Sequence, residues 1–156
     1  MSLLKNIKVL DLTRFVAGPH CTSILSDLGA DVIKIEKCDR GDDLRIIGPS
    51  LEGVSLWSAV LNRGKKSLSL NLKDEKGLDI FRKLLKNSDV LVENFRPGVM
   101  EKLKLSWNNI NKINRKIIMA RVSGYGYQLK NSSRQAFDAT VQAETGFMNI
   151  SGTTPN

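Results

Sequence analysis

Residues 7 to 36 constrain the chain more than any other stretch: IKVLDLTRFVAGPHCTSILSDLGADVIKIE reads as a strand, a helix and a second strand. Ile7 to Leu12 and Asp31 to Ile35 are short apolar runs rich in β-branched residues, as suits strands in a parallel sheet. Between them Gly18-Pro19 gives a bend with proline at the first helical position, and Gly29 closes the helix. Cys21, Ile24, Leu25 and Leu28 recur at helical spacing, which predicts them as the buried face. Parallel neighbours need such a crossover, and ligands of open α/β sheets sit beyond the carboxyl ends of the strands. That rim holds Thr13, Arg14, Phe15, Val16, Ala17 and Gly18, whose backbone N–H groups at a helix start are expected to favour an anion.

The pattern continues downstream. Lys37 to Gly53 is a turn-rich connector carrying Arg40-Gly41-Asp42-Asp43-Leu44-Arg45 and a Gly48-Pro49 break, long enough to suggest function. A short helix is expected over Ser55 to Leu61, ending near Gly64, and the alternation in Lys66 to Leu72 gives a third strand. Asp74 caps a helix through Lys86 with Leu78, Phe81, Leu84 and Leu85 inward. Asp89 to Glu93 is a fourth strand, followed by Asn94-Phe95-Arg96-Pro97-Gly98 and a short helix from Val99 to Leu103. Ser106 caps a helix to Ile113, and Lys116 to Ser123 is a fifth strand ending in Gly124-Tyr125-Gly126-Tyr127. The rims after the first, fourth and fifth strands are expected to face one site. Gln128 to Gln135 reads as a polar loop, Phe137 to Phe147 as helix, and residues 151–156 as a connector that continues into absent sequence.

Length and composition narrow the class. A chain of 156 residues, 41% hydrophobic and 26% charged, suits one globular domain. Its apolar runs are too short to span a bilayer and no basic-then-apolar leader precedes Ile7, so a cytoplasmic protein without a membrane role is expected. Cys21 and Cys38 form no metal or disulfide pattern. The net charge of +8 favours an anionic partner, but the basic residues are spread along the chain and lack a nucleic-acid recognition motif.

Several residues invite functional readings that weigh less than their plain alternatives. His20 and Cys21 are adjacent on a helix and point about 100° apart, so a buried structural thiol is preferred over a catalytic pair. Glu36 ends the second strand where a dinucleotide enzyme holds ribose, yet the first loop lacks GxGxxG, which disfavours NAD. Glu93 and Asp138 are candidate paired acids, with solvated carboxylates as the commoner outcome. Lys65-Lys66 and Lys102-Lys104 are candidate phosphate ligands, with solvated faces favoured.

Taken together, VLDLT with AGP, LGADVIKIE, GD followed by Arg45, LNRGKKSLSLNLK, DVLVENFRPG, LSW and SGYG resemble the class III CoA-transferases, the CaiB/BaiF family, from about Ile7 to Gly152. The resemblance implies an α/β, Rossmann-like, mostly parallel sheet of about five strands with helices on both faces, truncated relative to the family. Residues 1–150 would be the N-terminal part of the large domain. Coenzyme A, as a thioester substrate and without a prosthetic group, would cross the carboxyl edge of the sheet. By the same resemblance Val16 and Ala17 line its pocket, Lys37 meets nucleotide phosphates, and Leu70, Asn71, Leu72, Lys73, Asn94, Phe95 and Arg96 form contacting loops. Lys102 matches a further basic position.

In the family's transferases an aspartate attacks the acyl-CoA and passes through anhydride and thioester intermediates, which divides one hard exchange into easier steps. The resemblance puts that aspartate beyond Asn156, so no catalytic residue is expected within this chain; Asp138 matches a supporting acid. Phe137 stands where racemases of the family carry a histidine, which disfavours α-proton abstraction. Phe15-Val16 replaces polar residues of formyl-CoA transferases, so the acid substrate is not inherited from them. The expected partners are an acyl-CoA, a carboxylic acid, a separately encoded C-terminal half, and a second copy, since family members are homodimers. The competing readings are a non-catalytic CoA-binding remnant and a degraded product.

Overall fold

Alternation along the strands decides the architecture. In β1 (Lys8–Asp11) Leu10 points into one apolar cluster and Val9 into the other, because successive side chains leave a strand on opposite faces. A computed structural model describes residues 2–127 and 134–152 of the chain. Its further elements are α1 (Ala17–Asp27), β2 (Asp31–Glu36), a 3₁₀ turn (Asp43–Ile46), β3 (Ser50–Leu51), β4 (Val54–Ser55) and α2 (Leu56–Leu61). These precede β5 (Lys66–Ser69), α3 (Glu75–Lys86), β6 (Val90–Glu93), α4 (Val99–Lys102), α5 (Trp107–Ile113), β7 (Ile118–Arg121), α6 (Asp138–Glu144) and α7 (Phe147–Ser151).

Five strands pair in the order β5-β2-β1-β6-β7, every pair parallel, with Val9 opposite both Val32 and Val90. The chain steps from β1 outward to β5, then returns to the other side of β1 and continues through β6 to β7. The order therefore reverses between β1 and β6, the switch point at which such sheets open a crevice for ligands. Helices cover both faces. Leu78, Phe81 and Leu85 of α3, Met100 of α4 and Ile110 of α5 pack with Leu10, Ile35 and Leu91. Cys21 and Leu25 of α1 pack on the other face with Val9, Val32 and Val92. Asp74 caps α3 by accepting the Lys76 N–H at 2.8 Å, and Lys83 and Lys86 complement the helix dipole in its last turn.

Four expectations need correction. The apolar stripe assigned to α1 holds for Cys21 and Leu25 but not for Ile24 and Leu28, which are 45% and 38% exposed; the fully buried residues of the helix are Gly18, Pro19, Thr22 and Ser23. Asp11 shares the sheet face of Val9, so the helix meets β1 through small and hydroxyl side chains that approach closely and bond the carboxylate. The helix also starts at Ala17, making Pro19 its third residue. The stretch from Lys37 to Gly53 is no bare connector, because it holds the 3₁₀ turn and half of the β3–β4 hairpin. Finally, the helix expected over Phe137 to Phe147 is two, separated where Gly146 takes a φ of 76°.

The chain divides into two compact units, Met1–Val122 and Ser123–Asn156. The sheet and its helices are the first. In the second, Tyr125 donates its hydroxyl to Glu144 at 2.8 Å, and Arg134 pairs with the same carboxylate. Most of the expected polar loop, residues 128–133, and the connector residues 153–156 lie outside the described residues. No described helix is long and apolar enough to cross a membrane, and among the described residues no cluster of His, Cys, Asp or Glu is placed to hold a metal.

Candidate functional site

A parallel sheet puts every strand's carboxyl end on one edge, and the loops after β1, β2, β5 and β6 all leave that edge. Val16 and Ala17, exposed at the start of α1, follow β1; Lys37 follows β2; Leu70 to Lys73 follow β5; Asn94, Phe95 and Arg96 follow β6. Lys102 stands one short loop further on, in α4.

At the switch point the first and fourth of these loops are joined. The Asn94 carboxamide accepts the Arg14 N–H at 2.8 Å and donates to the Arg14 carbonyl at 2.8 Å, and the Arg14 guanidinium lies 5.0 Å from the centre of the Phe95 ring. Gly18 makes this junction close, because a Cβ there would lie 2.4 Å from the Thr13 Cβ and 3.0 Å from Asn94 Cγ. The expectation that rim N–H groups await an anion is overturned for three of them. Thr13 donates to Asp11 at 2.8 Å, Arg14 to Asn94, and Phe15 to Asp42 at 3.3 Å, so the protein's own oxygens occupy those donors.

Beneath the loop lies a buried cluster of charges. Asp11, fully buried, accepts the Thr13 N–H and hydroxyl through one oxygen, and the Thr22 hydroxyl at 2.6 Å and Lys65 at 3.0 Å through the other. Lys34, 1% exposed, contacts the Thr13 carbonyl and Asp42 Oδ2, each at 2.8 Å. Lys65 also donates to the Pro19 carbonyl at 2.9 Å and to Thr22 at 2.7 Å. Burial pulls the Lys65 ammonium below the ordinary lysine range, against the attraction of Asp11 that raises it. Two lysines and two aspartates thus neutralise one another and fix the backbone from Thr13 to Phe15. Lys65 was expected on a solvated face but has its side chain 1% exposed; Lys66, Lys102 and Lys104 are exposed as expected.

Glu36 is fixed in a second ion pair, to Arg45 at 2.7 and 2.6 Å, and it also accepts the Asp42 N–H and the Ser67 hydroxyl, each at 2.8 Å. Burial pushes its carboxyl up, but the guanidinium, the N–H and the hydroxyl outweigh burial and hold it at about 2. Its acceptor capacity thus ties the loop after β2, through Asp42 and Arg45, to Ser67 of β5. Lys37 leaves the same strand end and pairs with Asp43 at 2.6 Å, one-third exposed.

Near the far end of the edge, Leu72, Lys73 and Lys102 line a small pocket of about 140 Å3 together with Lys104 and Glu75. Two loops distant in sequence thereby bring three ammonium-bearing residues together. Gly77 sets the position of the first, since a Cβ there would meet the Asn71 carbonyl oxygen at 2.1 Å. A larger, apolar cavity of about 490 Å3 opens beside the β1 loop, lined by Val16, Pro49, Leu56, Trp57, Val60 and Leu61, with His20 on its wall. Glu93 is fully buried rather than solvated, bonded to the Phe95 N–H at 2.8 Å and Arg121 at 2.7 Å. Asp138, in the second unit, is exposed and accepts from Gln142 at 2.5 Å.

The model of CoA-transferase family III matches residues 4–156. The chain belongs to this family. As a family III chain it is 46% identical over 144 residues to an acetyl-CoA:oxalate CoA-transferase of Acetobacter aceti, covering 92% of its own length and 37% of that protein. It is 43% identical over 150 residues to a human succinyl-CoA:glutarate CoA-transferase, covering 96% of itself and 34% of the relative. A CaiB/BaiF family protein of Brucella suis has the same fold, with a TM-score of 0.90, 34% identity, and 97% and 41% of the two chains covered. The chain thus spans little more than a third of the length of these curated relatives.

Sequence reasoning about this family III chain missed Asp11, Lys34, Asp42 and Lys65 as one cluster. A charge inside an apolar strand, such as Lys34 within DVIKIE, was the available signal, because an ammonium there needs a buried partner.

Proposed function

We propose that this chain is the coenzyme A-binding portion of a class III CoA-transferase, which moves CoA between two carboxylic acids. The observation that carries the reading is the gathering of the expected contact residues of four loops along one sheet edge, with Lys73 and Lys102 in one pocket. The coenzyme's pyrophosphate and 3′-phosphate are the anions that Lys37, Lys73 and Lys102 suit as point charges, while Val16, Ala17, Leu70, Asn71, Leu72, Asn94, Phe95 and Arg96 shape the remaining contact. The nucleophilic aspartate that forms the acyl anhydride and then the enzyme thioester would come from sequence outside residues 1–156, on a continuation or a separately encoded half. By the resemblance alone, Asp138 matches a supporting acid and not the nucleophile. That the similar proteins are CoA-transferases, of which this chain spans little more than a third, supports reading it as one portion of such an enzyme.

Calorimetric titration of coenzyme A into the whole chain tests the reading. Binding that weakens as salt rises, and that loses affinity and salt dependence in Lys73→Ala and Lys102→Ala, is the expected result. No heat at millimolar coenzyme A overturns it. The non-catalytic reading differs in one respect: it predicts the same binding but no transfer when the chain is mixed with a segment bearing the aspartate.

A further inference from the structure

The cavity beside the β1 loop carries information about the acyl group. We infer that it receives an apolar acyl chain of a coenzyme A thioester, and that it discriminates against acids with a second carboxylate. The inference rests on the coenzyme A reading and deepens it. Val16 is the link, being at once a wall of the cavity and a residue of the loop assigned to the coenzyme. A chain leaving the thioester at this loop therefore has the cavity as its neighbour.

Size and chemistry agree on the occupant. A volume of about 490 Å3 lies within the range of small-molecule sites. Leu56, Trp57 and Val60 are 43%, 45% and 57% exposed, so apolar surface is open there to a ligand. Trp57 packs closely over Gly48, where a Cβ would lie 2.6 Å from the indole Cδ1. Among the lining residues His20 alone carries a polar side-chain group other than the Trp57 indole N–H, and none is a Lys or Arg. The distal carboxylate of a dicarboxylic acyl group would lose its water without gaining a fixed cation, whereas each buried methylene is favourable.

The test compares hexanoyl-CoA, succinyl-CoA and free coenzyme A by calorimetry on the whole chain. Hexanoyl-CoA is expected to bind at least about tenfold more tightly than coenzyme A, and succinyl-CoA no more tightly. Val60→Asp is expected to erase the difference between hexanoyl-CoA and coenzyme A. A second readout uses Trp57 alone: with two tryptophans in the chain, Trp107→Phe leaves it the sole indole. Its emission should shift to the blue with sodium hexanoate and stay unchanged with disodium succinate. If coenzyme A fails to bind while Trp57 answers to hexanoate, the coenzyme reading falls and the apolar site stands. If Trp57 answers to neither acid or equally to both, or if all three coenzyme forms bind alike, the inference is overturned and the face is one that other protein covers.

Discussion

The Asn94 side chain grips the backbone of Arg14 from both sides, accepting its N–H and donating to its carbonyl at 2.8 Å each, 80 residues apart in sequence. This ring ties the loop after β1 to the loop after β6 across the point where strand order reverses. A carboxamide is the side chain that fits, since it offers an acceptor and a donor on one plane.

Asn94→Asp keeps the shape and the acceptor but loses the donor. It should cost about 1 to 3 kcal/mol of stability and weaken coenzyme A binding, because the Arg14 carbonyl then faces a carboxylate. Urea denaturation and calorimetry measure the two effects; a variant as stable as the parent would show that the junction is incidental.

Glu36 makes stability depend on acid. Its folded value, about 2, lies below the ordinary 4.5, so its contribution is complete above that ordinary value and is lost as pH falls toward 2. With partly exposed Arg45 screened by solvent, that contribution is on the order of 2 kcal/mol. Glu36→Gln should be less stable at neutral pH and show a flatter curve between about pH 4.5 and 2. Parallel curves for the two proteins, followed by denaturant melts at each pH, would rule this out.

Lys65→Met leaves the Asp11 carboxylate buried with its nearest cation removed, Lys34 standing 4.0 Å away. A loss of about 3 to 5 kcal/mol is expected, more than for an exposed ion pair. The double variant with Asp11→Asn should recover part of it, so a double-mutant cycle gives a non-zero coupling energy. Simple additivity would mean that the two charges do not support each other.

The sequence was informative where pattern and period are local. The β-branched apolar runs in KVLD and DVIKIE, the Asp74 and Ser106 caps and the Gly29 stop were readable because each depends on residues a few positions apart. The face of α1 was not, since Ile24 and Leu28 follow helical spacing but the helix is turned by Thr22 bonding Asp11 and by the closeness that Gly18 permits.

From its own sequence, then, the chain determined a family III pattern through its motifs and, because hydrophobic periodicity and turn chemistry act over short separations, a mostly parallel sheet and the edge on which its strand-end loops stand. Only the tertiary structure decided that Lys34 and Lys65 are buried against Asp11 and Asp42, that rim N–H groups serve the protein itself, and that an apolar cavity adjoins Val16. Those outcomes depend on which distant groups meet in low dielectric, where an unpaired charge is costly, and separation along the chain does not reveal the meeting.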